Sequence, residues 1–256
     1  MSCQLRVLGC SGGIGGDNRT TAFLLNQHVL IDAGTGVGDL QHAELLAIDH
    51  VFLTHAHLDH IACLPLLLDS VVGSRTEPIY VHASAQTIDL LRKHVFNWLI
   101  WPDFSTIPSV EQPSLIFVEH ELGQPCQVGE LCITPLPAIH TIPAVAFLLS
   151  SDSASIVFSG DTIGGDEFWC AVNQIDNLQA LIIETAFADK EHAIADAAKH
   201  LCSSTLAEQL QQWRGGAEVL ITHLKPADSE LTIREVLQLD HLHPIRRLLQ
   251  GEIIEF

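Results

Sequence analysis

The chain has 256 residues, 47% of them apolar, enough to bury a substantial core in one large α/β domain or two small ones. Its 31 acidic against 12 basic side chains give a formal net charge of -19, which repels long polyanions and weighs against nucleic acid as a partner. No apolar run approaches the roughly 18 residues that a membrane-spanning helix needs. The opening Met1–Arg6 lacks a basic segment followed by an apolar one, so no membrane is expected and a cytoplasmic location is.

Seven cysteines are scattered without a CxxC pair, as buried free thiols in a reducing compartment would be. Short β-like runs recur from the start: 4–8, 21–25, 29–32, 49–54 and 79–81, then 115–118, 131–136, 144–149, 155–159, 180–183 and 218–222. Residues 252–256 read as a terminal strand. Helical periodicity marks 62–72, 85–96, 166–175, 194–200 and 204–213, and the Pro-rich stretch 101–113 reads as an irregular loop. Without repeat or linker, this order suits a single domain over residues 1–256: an α/β fold of two packed sheets with helices outside, a four-layer αββα sandwich.

The run His50-Val51-Phe52-Leu53-Thr54 ends in His55-Ala56-His57-Leu58-Asp59-His60, four metal-binding side chains in six positions. Histidines two apart on a strand point the same way, and the turn after them can carry Asp59 and His60 to a second point in space. Further candidates also follow apolar runs: His140 after 134–139, Asp161 after 156–160, and His223 after 219–222. Asp161 is the natural bridge, since a carboxylate can give one oxygen to each of two dications and a neutral imidazole cannot. His55, His57 and His140 then form one site; Asp59, His60 and His223 form the other. Zinc suits nitrogen-rich sites with open positions, with manganese or iron as alternatives. Asp32, in Ile31-Asp32-Ala33-Gly34, is read as support for these ligands through hydrogen bonds, or as a plain turn aspartate.

With His55-x-His57-x-Asp59-His60, His140, Asp161 and His223 in this order, the chain resembles the metallo-β-lactamase superfamily over its whole length. That resemblance implies an αββα sandwich with a dinuclear metal site at one edge of the sheets. Leu8-Gly9-Cys10-Ser11-Gly12-Gly13, Asn18-Arg19-Thr20-Thr21, Glu184-Thr185-Ala186-Phe187 and His200 ahead of Ser203-Ser204-Thr205 resemble its phosphodiesterase branch. His94-Val95-Phe96-Asn97 with Ile100-Trp101-Pro102-Asp103-Phe104, and Thr222-His223-Leu224-Lys225-Pro226, are most similar to class II 3′,5′-cyclic-nucleotide phosphodiesterases. Cys63 and Pro65 depart from the signature of that class.

The resemblance implies hydrolysis of a 3′,5′-cyclic nucleotide, cyclic AMP or cyclic GMP, to the 5′-nucleotide. Two dications about 3.5 to 4 Å apart lower the pKa of a shared water and stabilise both oxygens of an in-line displacement at phosphorus. Asp59, Glu184 and His200 are the candidate catalytic residues, His200 serving the departing alkoxide and Glu184 orienting it. Arg19, Asn97, Trp101 and Phe104 are candidates for the nucleotide pocket, the aromatics stacking on the base. A homodimer is implied by the resemblance alone. The competing readings are a tRNA 3′-processing phosphodiesterase, for which no basic arm is visible, a thioester or lactone hydrolase, and a non-catalytic metal-binding protein.

Overall fold

A computed structural model describes residues 3–239 and 243–256. The first sheet is built from β1 (Gln4–Gly9), β2 (Ala22–Leu25), β3 (Val29–Ile31), β4 (His50–Phe52), β5 (Ile79–Ala83) and β6 (Leu115–Glu119). The second follows with β7 (Cys126–Val128), β8 (Leu131–Pro137), β9 (Val145–Ser150), β10 (Ser155–Phe158), β11 (Leu178–Glu184), β12 (Glu218–Thr222) and β13 (Ile245–Arg247). The chain then returns to the first sheet as β14 (Ile253–Glu255), antiparallel to β1. The sheet orders are β14-β1-β2-β3-β4-β5-β6 and β13-β12-β11-β10-β9-β8-β7.

Alternating side chains generate the layers, because successive residues of a strand face opposite sides. In β10 and β11, Ile156, Phe158, Ala180 and Ile182 enter the core between the sheets with Phe23, Phe52 and Phe147. Their neighbours Val157, Leu181 and Ile183 face the other way, against Phe168, Trp169, Leu206 and Val236. Those partners come from α5 (Asp166–Val172), α7 (Ser203–Leu210) and α8 (Ser229–Gln238), while α6 (His192–Ala198) precedes α7. On the outer face of the first sheet, Leu30, Val51 and Val81 pack on Leu64, Leu67, Leu68, Ile88 and Leu91. The helices of this half are α1 (His42–Leu46), α2 (Leu58–Ile61), α3 (Leu64–Val71) and α4 (Ala85–His94). The result is the αββα sandwich expected. Pro65 falls in the first turn of α3, where its missing N–H breaks no helical bond. Among the described residues, no helix is long and apolar enough to cross a membrane.

Parallel pairing of β3 with β4 and of β10, β11 and β12 with one another brings the strand ends bearing Asp32, Thr54, Asp161, Glu184 and His223 to common edges. The Trp-Pro segment goes elsewhere. Ser84, beyond the end of β5, lies on the edge that carries Thr54, and α4 then carries the chain back by about 15 Å. Ser114 links Phe104 to Ile79 at the start of β5: its N–H donates to Phe104 O, and its own carbonyl accepts from Ile79 N. Residues 95–104 therefore stand at the opposite edge from Thr54 and His55.

A chain of histidines runs into the core between the sheets. His82 is 4% exposed, stacks on Phe52, and stands 2.9 Å from His50 Nδ1 through its Nε2. Burial, then the neighbouring His50 and His120, push its pKa down to about 3. In the unfolded chain the ring titrates near 6.5, so on acidification the unfolded state takes up this proton first. Stability is then fully present above about pH 6.5 and falls by about 1.4 kcal/mol per pH unit for this group as pH drops toward 3. Urea unfolding at pH 5 and pH 7.5 will show a smaller pH difference in His82→Gln than in the wild type; an equal difference would remove His82 as the cause.

Candidate metal centre

At the end of β4 the chain leaves the sheet with Thr54, whose N–H and Oγ1 both donate to the Asp32 carboxylate. Asp32 follows the parallel neighbour β3 with φ +56, a left-handed conformation that short polar side chains tolerate. Its Oδ2 also lies 2.7 Å from His60 Nδ1, fixing the ring so that Nε2 points into the site. Gly34 is required beside it: a Cβ there would meet Asp59 O at 2.3 Å and Thr20 Oγ1 at 2.5 Å.

Three imidazoles converge first. His57 Nδ1 lies 3.1 Å from both His55 Nε2 and His140 Nε2, while Asp161 Oδ2 lies 3.5 Å from the former and 3.8 Å from the latter. Ring nitrogens about 2.1 Å from one tetrahedral dication stand roughly 3.4 Å apart, so this spacing fits a shared ion. His140 Nδ1 donates to the carbonyl of Lys199 at 3.0 Å, which leaves the lone pair of Nε2 free to face an ion. Lys199 reaches that position only by adopting φ +53 at the C-cap of α6.

The second group is Asp59, His60, Asp161 and His223. The other oxygen of Asp161, Oδ1, faces it, 3.3 Å from His60 Nε2 and 3.4 Å from His223 Nδ1; Asp59 Oδ2 is 3.6 Å from His223 Nε2. His60 Nε2 and His223 Nε2 are buried without a hydrogen-bond partner, which an ion would supply. One carboxylate thus turns an oxygen to each group.

The protonation states suit ligation. Burial holds His55 well below its ordinary pKa and lowers His57, takes His140 down to about 4 and His223 to about 3, leaving neutral imidazoles with free lone pairs. Burial works against the Asp161 carboxylate, yet His223 and His60 hold it well below the carboxylate range. His60 is the exception: against its burial, Asp161 and Asp32 hold its pKa well above normal. A dication at Nε2 would replace that proton.

His200 adjoins both groups, its ring 4.9 Å from that of His140 and stacked 5.2 Å from that of His223. Its Nδ1 is 2.7 Å from Glu184 Oε1. Burial disfavours the imidazolium, but this carboxylate raises the His200 pKa. Glu184 is fully buried and also accepts from the N–H groups of Thr162, Ala186 and Leu201, so one side chain braces three segments around the site.

Three of the four nucleotide-pocket candidates, Asn97, Trp101 and Phe104, are not brought to this cluster. Phe104 is 2% exposed within the first sheet's outer core and offers no face to a base. Asn97 spends its side chain on its own turn, accepting from Leu99 N and Ile100 N and donating to Lys93 O. Trp101 packs half-buried against the same outer core, at the far edge of the sheet. Arg19 pairs with Asp39 at 2.8 Å and also donates to Gly16 O and Asn18 O. The sequence reading missed Thr54 and Lys199, whose contributions are a hydroxyl contact and a backbone carbonyl.

Residues 27–224 match the family model described as the beta-lactamase superfamily domain. The chain belongs to the beta-lactamase superfamily. This superfamily member is 27% identical over 281 residues to a probable 3′,5′-cyclic-nucleotide phosphodiesterase of Yersinia pestis, covering 88% of this chain and 78% of that protein. Unliganded yeast PDE1 superposes with a TM-score of 0.82 at 19% identity, covering 98% of this chain and 99% of that one. The short form of human tRNase Z gives 0.68 at 17% identity, covering 98% of each chain. Both structural likenesses speak for the fold.

Proposed function

We propose that this protein is a metal-dependent phosphodiesterase that opens 3′,5′-cyclic nucleotides to 5′-monophosphates. The observation that carries the reading is Asp161 set between two histidine groups, with His200 against both. When bound, divalent ions, zinc foremost, supply Lewis-acid polarisation of the phosphoryl group and lower the pKa of the attacking water. His55, His57 and His140 would hold one ion and Asp59, His60 and His223 the other, Asp161 serving both. Water attacks phosphorus and releases one proton to solvent, the bond from phosphorus to O3′ breaks, and His200 gives O3′ a proton that it regains from solvent, while Glu184 keeps the imidazole oriented. The Glu184 carboxylate raises the His200 pKa against its burial and so favours the protonated donor.

The Yersinia relative supports a small cyclic substrate, and the charge of -19 favours it over an RNA, whose binding depends on many Lys and Arg contacts. One domain suffices for this chemistry. Metal-reconstituted protein will hydrolyse cyclic AMP or cyclic GMP faster than bis(p-nitrophenyl) phosphate, precursor tRNA or a thioester. Precursor tRNA cleaved far faster than cyclic nucleotides would overturn the proposal.

A further inference from the structure

Lys225 follows His223 by two positions, and its backbone N–H donates to Ala186 O at 3.0 Å. Its Nζ donates to Gly12 O at 2.7 Å. Gly12 in turn lies on His223: a Cβ there would stand 3.0 Å from His223 Cδ2 and 2.3 Å from its carbonyl oxygen. The Lys225 ammonium is thereby held beside the second ligand group.

Lys225 also differs from the cations that this acidic chain spends on its own carboxylates. Arg19, Lys190, Arg246 and Arg247 are each paired with a carboxylate, whereas among the described residues Lys225 makes no ion pair. An ammonium has three N–H donors. Gly12 O takes one, leaving two on a half-buried side chain at the site.

We propose that Lys225 is an anion-binding residue of this centre, its free N–H groups holding a non-bridging phosphoryl oxygen of the substrate. The assignment rests on the phosphodiesterase reading and adds to it a charge that the metal ligands do not provide. In a protein of net charge -19, one unpaired cation beside the centre counters the repulsion that an anionic diester meets on approach. A purely structural role, tethering the loop at Gly12, is the alternative that the test must separate.

The full metal-loaded chain is compared with Lys225→Met and Lys225→Arg. Inorganic phosphate binding is measured by calorimetry, kinetics on bis(p-nitrophenyl) phosphate, and melting temperature and metal content as controls. In Lys225→Met, phosphate will bind about 10-fold more weakly and KM will rise about 10-fold, the size of one charged hydrogen bond. Lys225→Arg will recover most of both, and metal content will not change. Unaltered phosphate affinity in Lys225→Met overturns the assignment. So does an equal loss in both variants that tracks a lowered melting temperature, because that is the tether alone. If the wild type binds phosphate yet hydrolyses no diester, the phosphodiesterase reading fails and the phosphate comparison still decides Lys225.

Discussion

Asp161→Asn will fail to hold a full complement of divalent ions and will lose at least about 10³-fold in diester turnover, roughly 4 kcal/mol of barrier. Each Asp161 oxygen serves a different group: Oδ2 faces His55 and His140 at 3.5 and 3.8 Å, and Oδ1 faces His60 and His223 at 3.3 and 3.4 Å. An amide has one oxygen and one NH2. Whichever way the substituted amide turns, one group gains donors where it needs an acceptor, and the site loses a negative charge. Elemental analysis of the purified variant measures the first effect. Thermal melts with and without chelator measure a second: ions that bind only the folded state raise the wild-type melting temperature, and the variant will respond much less to chelation. An Asp161→Asn protein loaded as fully as the wild type would show that Asp161 does not bridge.

Both the fold and the candidate ligand set could be read where local pattern and long-range order coincide. β10 and β11 alternate between two cores, so both sides are apolar and the runs Ser155–Phe158 and Leu178–Glu184 stand out. The candidate ligands are visible because each follows such a run. β7 and β13 escaped notice because they are three-residue edge strands, paired on one side only, and β13 reads Ile245-Arg246-Arg247. α8 was missed because its buried face includes the polar Thr232 beside Ile233 and Val236. The misplacement of Asn97, Trp101 and Phe104 has another origin. Residue type told of a distinctive segment, but which edge of the sheet it occupies depends on α4 returning the chain to the start of β5. Lys199 gave no signal, since a backbone carbonyl is a ligand support that every residue carries.

Glu184→Gln will lower the melting temperature by about 5 to 15 °C, and His200→Ala will lower it far less while abolishing more turnover. Glu184 Oε1 accepts from His200 Nδ1 and Thr162 N, and Oε2 accepts from Ala186 N and Leu201 N. Glutamine keeps one acceptor oxygen and puts an NH2 against the other two donors. Two buried N–H groups without partners cost about 1 to 3 kcal/mol each, and in a chain of this size each kcal/mol is about 2 to 4 °C. His200→Ala leaves the three backbone bonds to Glu184 in place, so it removes the proposed proton donor and spares most of the brace. Its turnover will fall about 10² to 10⁴-fold, the range for a general acid, with metal content unchanged. The pH profile separates the two roles further. Glu184 raises the His200 pKa, so its replacement lowers that pKa, and the activity that needs protonated His200 will decline from a lower pH than in the wild type. Wild-type turnover in His200→Ala would exclude it as the acid, and an unshifted melting temperature in Glu184→Gln would exclude the brace. These outcomes are independent because Glu184 meets His200 through one of four hydrogen bonds and the surrounding backbone through the other three.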